Sequence, residues 1–325
     1  MIINKSISLT CLLAGVTLSG SVWALEVGDP AEVSGVVELE YGVSRGDSGR
    51  KYGPLATKIE VGVEYKPTDK VDLHSLLLYE DQQLSVDEAD ITWHALPDEK
   101  LDMTVGRQYL PFGAFEKAMI SSPLTKDLAE ASQDKVLLAS HKQGNFQTKG
   151  YVFAGTSPNT GGTGKHDAGY GLSVGYETDA ATLGVDYLSN LAETNHFETN
   201  DVASEIPAIA VHGLTKIGRV TLIGEHIAAA KAFQPGDLDG AVTVAAKPAT
   251  SQLEADVDLN NDRTVALAWS SSSNAAEIDL AKEALGITYS QPLYKSLAGA
   301  VELMRSKSYD GANDNALTAQ LSYEF

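Results

Sequence analysis

The feature that most constrains the fold is a two-residue alternation of apolar and polar side chains, repeated in short segments along the chain. In the segment 55–65, Leu55 and Ile59 fall on one face, whereas Lys58 and Glu60 fall on the other. Successive side chains of a β-strand point to opposite faces, and a helix would mix these two sets. The alternation therefore predicts an all-β chain.

About 16 segments alternate in this way, and three of them, 134–141, 205–215 and 218–231, do so less regularly. The last segment ends at the final residue, with Leu321, Tyr323 and Phe325 on one face. The predicted strands are 32–42, 55–65, 71–80, 84–95, 101–108, 134–141, 146–156, 167–177, 181–190, 205–215, 218–231, 251–259, 263–271, 284–290, 297–306 and 316–325.

The connections between these segments form a second pattern, because long and short ones alternate apart from the short connection 81–83. In an up-and-down barrel every second connection lies on the same rim, and outer-membrane barrels have short periplasmic turns and longer outer loops. The short connections 66–70 and 142–145 contain the Pro, Gly, Asn and Asp residues typical of turns. The predicted outer loops are 43–54, 81–83, 109–133, 157–166, 191–204, 232–250, 272–283 and 307–315.

A soluble β-sandwich would also alternate, but its apolar face would point at a dry core. Here the face opposite the apolar one carries charges of both signs, which need water, and a 16-stranded barrel encloses water. We therefore predict a transmembrane antiparallel up-and-down β-barrel of about 16 strands with a long third outer loop. A centre filled by Ile59, Val61 and Leu321 would instead support the sandwich. The expected lumen wall is Lys58, Glu60, Glu64, His74, Asp90 and His94.

The first 24 residues have the pattern of an export signal. Lys5 is followed by an apolar stretch over 7–18, and Val22-Trp23-Ala24 fits a small-x-small cleavage site. We therefore expect a signal peptide over 1–24 and a barrel domain over 25–325 in the cell outer membrane. Only 25–31 would precede the first strand, so no plug domain is expected, and transport should be diffusion down a gradient.

Composition and motifs exclude several function classes. The chain has 24 Lys+Arg against 44 Asp+Glu, a formal charge of −20, which argues against a nucleic-acid partner. The seven His show no HExxH spacing, Asn261 replaces the turn glycine of a calcium loop, and His166 replaces the Ser or Thr of a phosphate loop. We predict no metal, no cofactor, no catalytic residues and no enzyme activity. A Ser/His or Asp/His dyad of a hydrolase, formed between distant strands at the rim, stays open.

The longest connection, 109–133, is too apolar for a solvent-exposed tip, since Leu110, Phe112 and Met119 need a surface to pack on. Packing on the inner wall would place a set of charged side chains near the pore axis. The alternative is a lid over the mouth, or a plain outer loop with one helical turn from Pro123. The charged residues in question are Glu116, Lys117, Lys126 and Asp127.

Arg107 stands at the upper end of the fifth predicted strand. A guanidinium among acidic wall residues would create a fixed anion contact and tune selectivity at the constriction. Pairing with a neighbouring carboxylate to hold the loop is the equally open alternative. The formal net charge of the chain is −20, and a lumen lined by this acidic excess would favour cations. Arg107, Lys117 and Lys126 would oppose that preference at the constriction.

Two stretches of sequence resemble known porins. The run Gly106–Gly113 resembles the GRQ-x-x-PFG element of Gram-negative outer-membrane porins, and its continuation through Ser121–Thr125 is similar to the LbtU-type siderophore porin family. The opening Val33–Glu38 and the terminal Tyr323–Phe325 fit the same family. The resemblance implies a 16-stranded outer-membrane barrel that passes small solutes, with a ferric siderophore among the candidates. A general or carbohydrate-type porin, the alternative, would place aromatic residues along the lumen.

The expected partners follow from the same features. The C-terminal Phe325, preceded at period two by Tyr323, resembles the signal read by the barrel assembly machinery. The other expected partners are outer-membrane lipid and a small solute or siderophore. The short second outer loop, 81–83, lacks the latch that porin trimers use and favours a monomer.

Overall fold

A computed structural model describes residues 25–28, 31–46, 49–96, 100–155, 168–197, 205–237, 242–260 and 262–325. The expected signal peptide over 1–24 and the predicted loop 157–166 lie outside the described residues. Within the described part of the chain, no helix is long and apolar enough to cross a membrane.

The described residues form a short N-terminal strand, β1, and 16 long strands, which agree in order and number with the predicted segments. One short α-helix, α1 (Leu124–Ala129), lies in the longest connection. The strands are β1 (Leu25–Gly28), β2 (Ala31–Gly46), β3 (Gly49–Thr68), β4 (Val71–Glu80), β5 (Gln83–Leu96), β6 (Leu101–Tyr109), β7 (Ser132–Gln143), β8 (Phe146–Ala154), β9 (Ala168–Glu177), β10 (Ala181–Leu188), β11 (Ala208–Ile217), β12 (Val220–Ala229), β13 (Ala249–Asp258), β14 (Thr264–Ser273), β15 (Glu283–Tyr294), β16 (Leu297–Lys307) and β17 (Asn313–Glu324).

The sheet closes on itself. Each strand from β2 to β17 pairs antiparallel with the next, and β17 returns to β2 with Leu321 opposite Leu39. The main chain of Phe325 exchanges two hydrogen bonds with Gly35, at 2.9 and 3.0 Å. Because the sheet is closed, the backbone N–H and C=O groups of the wall are paired between neighbouring strands. A β-sheet that spans a bilayer requires this pairing, since lipid offers no hydrogen-bond partners. The predicted fold class, a closed antiparallel 16-stranded barrel, is confirmed.

The apolar face of the strands points outward. Leu321 is 44 % exposed and Leu55 is 63 % exposed on the outer surface. Ile59 and Val61 lie on the same alternating row as Leu55, and the charged Lys58 and Glu60 lie on the inner row between them. An outward apolar band around a polar interior is the pattern of a transmembrane barrel. The dry centre that would have supported a sandwich is not formed.

Two predicted outer loops are shorter than expected. The connection predicted over 43–54 is a continuation of β2 and β3, with Val43 opposite Tyr52 and Gly46 opposite Gly49. The connection predicted over 307–315 narrows to 308–312. Main-chain pairing continues to the upper edge of the apolar belt, where polar side chains are tolerated on both faces and the sequence alternation is weak.

Candidate functional site

The third outer connection, residues 110–131, folds back into the barrel; we call it the inner loop. Its backbone is held by carboxylates that project inward from separate strands. Gly113 N donates to Asp186 Oδ2 of β10 at 2.9 Å, and Ala114 N donates to Glu225 Oε1 of β12 at 2.7 Å. These contacts place the first half of the loop against the inner wall, as the first of the two sequence-based alternatives expected.

The second half of the loop is held in the same way. Ala118 N donates to Glu254 of β13. Glu302 of β16 accepts hydrogen bonds from Ile120 N at 2.7 Å, from Ser121 N at 3.1 Å and from the Ser121 hydroxyl. Ionised carboxylates form stronger hydrogen bonds to backbone N–H groups than neutral acceptors do.

We call Asp186, Glu225, Glu254 and Glu302 the anchor row. All four are buried, with exposed fractions of 1–5 %. None of the four was predicted as a site residue from the sequence. The available signal was an acidic residue at an inward position of each of four strands, with Asp256 as a second one on β13. Nothing in the sequence indicates that these carboxylates face an inner loop.

Apolar contacts complete the attachment of the inner loop. Met119 is 4 % exposed and packs against Ala266 and Met304 of the wall. Phe112 and Leu128 are fully enclosed in a larger apolar cluster. The loop is therefore held by hydrogen bonds on its backbone and by burial of the side chains that made it too apolar for a solvent-exposed position.

The outer loops after β10, β12 and β14 close one side of the mouth over α1. The Thr194 hydroxyl donates to the Leu128 carbonyl at 3.0 Å, and the Phe197 and Phe233 rings lie 5.2 Å apart. Wall residues of β7, β8, β10, β11 and β12 belong to the same apolar cluster. The open part of the lumen therefore lies on the side of β2 to β5 and β17.

Basic and acidic groups face each other across this open part. Lys117 Nζ donates to the Ile120 carbonyl at 2.7 Å and interacts electrostatically with Glu38 and Glu40 of β2. Lys126 pairs with Glu130 at 3.0 Å on the inner loop. The positive charge of Lys126 is therefore balanced by an ion pair, and that of Lys117 by the electrostatic influence of the β2 carboxylates.

The wall residues expected from alternation lie on the inner face. Lys58 Nζ lies 2.6 Å from a Glu60 oxygen. Glu64 is the register partner of His74, whose Nδ1 lies 3.2 Å from Asp90 Oδ2. His94 lies between two carboxylates, with Nδ1 2.7 Å from Asp102 and Nε2 3.2 Å from Asp72.

The expected constriction residues divide into two groups. Lys117, Lys126 and Asp127 come together on the side of the inner loop that faces β2. Glu116 lies near Glu225 and Glu254, toward the opposite wall.

Arg107 stands apart from both groups. Its Nε donates to the Asp87 carbonyl at 2.9 Å, and its register partner is Ala89. It lies on the same alternating row of β6 as Val105, which is exposed on the outer surface. Selectivity roles for these residues stay predictions.

Enclosure by the barrel changes the acidity of the inner-loop groups. Loss of hydration raises the pKa of Asp127 to about 6, although Lys117 and Lys126 oppose the shift. Loss of hydration also raises the pKa of Glu116 and lowers the pKa of Lys117. The Asp127 carboxylate is in contact with the lumen and can exchange its proton.

This shift predicts a pH-dependent selectivity. Asp127 is ionised above about pH 6 and neutral below it, so the constriction loses one negative charge as the pH falls from 7 to 5. We expect the reversal potential in a KCl gradient to move toward weaker cation preference over this range. Asp127→Asn should make this step smaller, and Asp310→Asn in the exposed β16–β17 connection should leave it unchanged. An unchanged step in Asp127→Asn would contradict the assignment.

The barrel contains Ser–His and Asp–His side-chain pairs within hydrogen-bond distance, as the hydrolase alternative requires. His226 Nδ1 lies 2.8 Å from Ser251 Oγ on the adjacent strands β12 and β13, and His212 Nε2 lies 3.1 Å from Asp186. Among the described residues, no carboxylate orients the His226 ring, and the Asp186 oxygen that approaches His212 also binds the inner loop. In the same part of the chain, no cluster of three His, Cys, Asp or Glu side chains has metal-binding geometry.

Comparison with known proteins supports the fold. The anion-selective porin of Comamonas acidovorans superimposes with a TM-score of 0.68 at 14 % identity, covering 91 % of this chain and 99 % of that one. The fold is that of the outer-membrane porins. The channel DcaP of Acinetobacter baumannii gives 0.66 at 13 % identity over 94 % and 99 %, and OmpF of Salmonella typhi gives 0.63 at 13 % over 90 % and 98 %.

Sequence comparison finds only distant relatives among the curated proteins it matches. No family model matches the chain. A UPF0422 protein of Coxiella burnetii is 23 % identical over 257 residues, which is 68 % of this chain and 55 % of the relative. A UPF0422 protein of Legionella pneumophila is 23 % identical over 237 residues, 66 % of this chain and 44 % of the relative. The chain spans about half the length of these curated relatives.

Proposed function

We propose that this protein is a passive pore of the cell outer membrane, through which small solutes diffuse, and that it is not an enzyme. The observation that supports this most is the inner loop, held across a charged lumen by the anchor row. A loop fixed in this position narrows the barrel. A rigid constriction inside a water-filled barrel selects solutes by size and charge and needs no chemical step.

The solutes that suit this constriction are cationic or neutral. Lys58 is paired with Glu60, Lys126 with Glu130, and Lys117 lies near Glu38 and Glu40. These carboxylates compensate the basic charges. The remaining inward carboxylates leave an excess of negative charge, which attracts cations into a low-dielectric pore.

Planar-bilayer recording tests the proposal directly. Folded protein should give discrete conductance steps, and a KCl gradient should give a reversal potential on the cation-selective side. Glu38→Gln combined with Glu40→Gln should weaken the cation preference, because it removes two of the carboxylates that offset Lys117. The matched control is Asp179→Asn combined with Asp310→Asn, which removes two exposed acidic charges from connections at the two rims. Absence of conductance steps from folded protein would refute the pore.

A ferric siderophore stays a candidate solute because of the resemblance of Gly106–Gly113 and Ser121–Thr125 to the LbtU-type porins. The excess of negative charge favours a neutral or cationic iron chelate over an anionic one. A carbohydrate path has less support, since the inward Tyr151 and Phe153 are buried in the apolar cluster beneath the outer loops. Block of the ionic current by each solute class distinguishes these candidates.

A further inference from the structure

A row of arginines lies on the outer surface of the barrel, away from the lumen. Arg305 of β16, Asn315 of β17, Arg45 of β2 and Arg50 of β3 are consecutive partners in the sheet register. All four side chains are exposed. We call Arg45, Arg50 and Arg305 the arginine row.

The sheet register places the arginine row on the lipid-facing side of the wall. Two residues away on the same strands lie Leu303, Leu317 and Tyr52, which are 56 %, 47 % and 64 % exposed. Residues two apart on a strand share a face, so the arginines continue this outward apolar column. They lie next to the strand ends that lead to the outer loops, just beyond the apolar belt.

The position of Trp269 also indicates that the arginine row lies near the membrane interface. Trp269 is the register partner of Leu285, and Leu285 is the register partner of Arg305, so all three lie at the same height on the wall. Aromatic side chains mark the membrane interface of transmembrane barrels. The arginine row therefore lies at the height of the lipid headgroups in the outer leaflet.

The arginines of the row have only neutral partners among the described residues: Arg50 donates to the Tyr52 hydroxyl at 3.4 Å, and Arg305 donates to Asn313 Oδ1 at 3.0 Å. Arg45 and Arg50 are directly opposite each other, an arrangement of like charges that destabilises a strand pair. Among the described residues, no carboxylate forms an ion pair with any of the three arginines. The nearby outward Glu283, across from Lys307, is bonded to the Trp269 indole at 2.9 Å. An anion between Arg45 and Arg50 would turn this unfavourable pair into a bidentate site.

A groove lies below the arginine row on the same outer surface. Its floor is formed by Gly299 and Ala319, and its sides include Tyr41, Leu55 and Tyr289. Tyr41 precedes Arg45 by four residues on β2, which places the groove about 13 Å below the row. Small residues between large apolar ones make a channel along the barrel wall that fits a hydrocarbon chain.

We propose that the arginine row and this groove together bind one phosphate-bearing glycolipid of the outer leaflet, with the phosphate on the arginines and an acyl chain in the groove. Charge complementarity identifies the headgroup, and the apolar groove identifies the tail. The site is independent of the lumen, so it does not rest on the proposed pore function.

Native mass spectrometry of the full chain in detergent tests the site, with bisphosphorylated lipid A as the probe. Arg45→Gln combined with Arg50→Gln should weaken binding roughly 30-fold, the factor expected for two cations near an anionic headgroup. The matched control is Arg219→Gln combined with Arg263→Gln, which removes two exposed arginines from the turns at the opposite rim and should leave binding unchanged. Equal loss in both variants, or no loss in the first, would overturn the proposal.

Two further arms separate the lipid from other ligands. Dephosphorylated lipid A should bind weakly, and inorganic phosphate should not displace the bound lipid. Displacement by phosphate alone would indicate a simple anion site and would overturn the lipid assignment. Ala319→Phe fills the groove and should weaken lipid binding in protein that still folds, as judged by heat-modifiable migration. Unchanged binding in this variant would overturn the acyl-chain part of the proposal.

Discussion

Replacing Glu302 by alanine is expected to release the inner loop and raise single-channel conductance several-fold. The Glu302 carboxylate accepts hydrogen bonds from Ile120, from Ser121 and from Thr288, the last at 2.9 Å. Removing it leaves these donors buried without an acceptor and should make loop opening easier by about 3–5 kcal/mol. That corresponds to roughly a 10²–10⁴-fold increase in the open population.

The control is Glu64→Ala. Glu64 is another inward carboxylate, it makes no hydrogen bond to the inner loop within the described part of the chain, and it pairs only loosely with Lys66, at 3.8 Å. Its conductance should stay close to that of the wild-type protein. Both variants must first show heat-modifiable migration, which reports a closed barrel. A folded Glu302→Ala protein with wild-type conductance and current noise would show that the anchor row does not hold the loop.

Gly106→Ala is expected to damage the barrel itself. Gly106 has φ of +150°, a conformation that L side chains rarely adopt, and it begins an irregularity in the β6–β7 pairing. An added Cβ would lie 2.2 Å from the Ala89 carbonyl oxygen and 2.6 Å from Asp90 Cα. Both contacts are to the backbone of β5, which has to move. We expect the free energy of unfolding to fall by about 2–5 kcal/mol.

Gly150→Ala in β8 is the matched control, since nothing lies within 4 Å of an added Cβ there and φ is not positive. Its effect should stay within about 0.5 kcal/mol. The measurement is urea-dependent unfolding followed by heat-modifiable migration. Equal free energies of unfolding for the two variants would contradict this prediction. That result would mean that β5 moves away from Gly106 without loss of stability.

Strand positions were predicted well because burial in lipid imposes one rule on every strand. The segment 71–80 coincides with β4, and even the irregular 218–231 contains β12. The prediction was wrong for the loop over 43–54, where the strands continue into water. There, either face tolerates polar side chains, so pairing leaves no trace in the residue pattern.

The site was only partly predictable for a related reason. Lys117, Lys126 and Asp127 were recognised because they lie in one continuous, unusually apolar connection. The anchor row was missed, although its members were visible as inward acidic residues. Asp186 and Glu302 are more than 100 residues apart in the chain, and their common role depends on a loop that reaches both of them.

The alternation of apolar and polar residues by itself determined that the chain forms a closed barrel with a charged interior, because lipid outside and water inside leave one arrangement for each strand. The tertiary structure alone decided where the inner loop crosses the lumen and which wall it occupies. That choice depends on hydrogen bonds between backbone N–H groups and carboxylates from distant strands. Backbone donors are the same at every residue, so no side-chain pattern records which of them will be used.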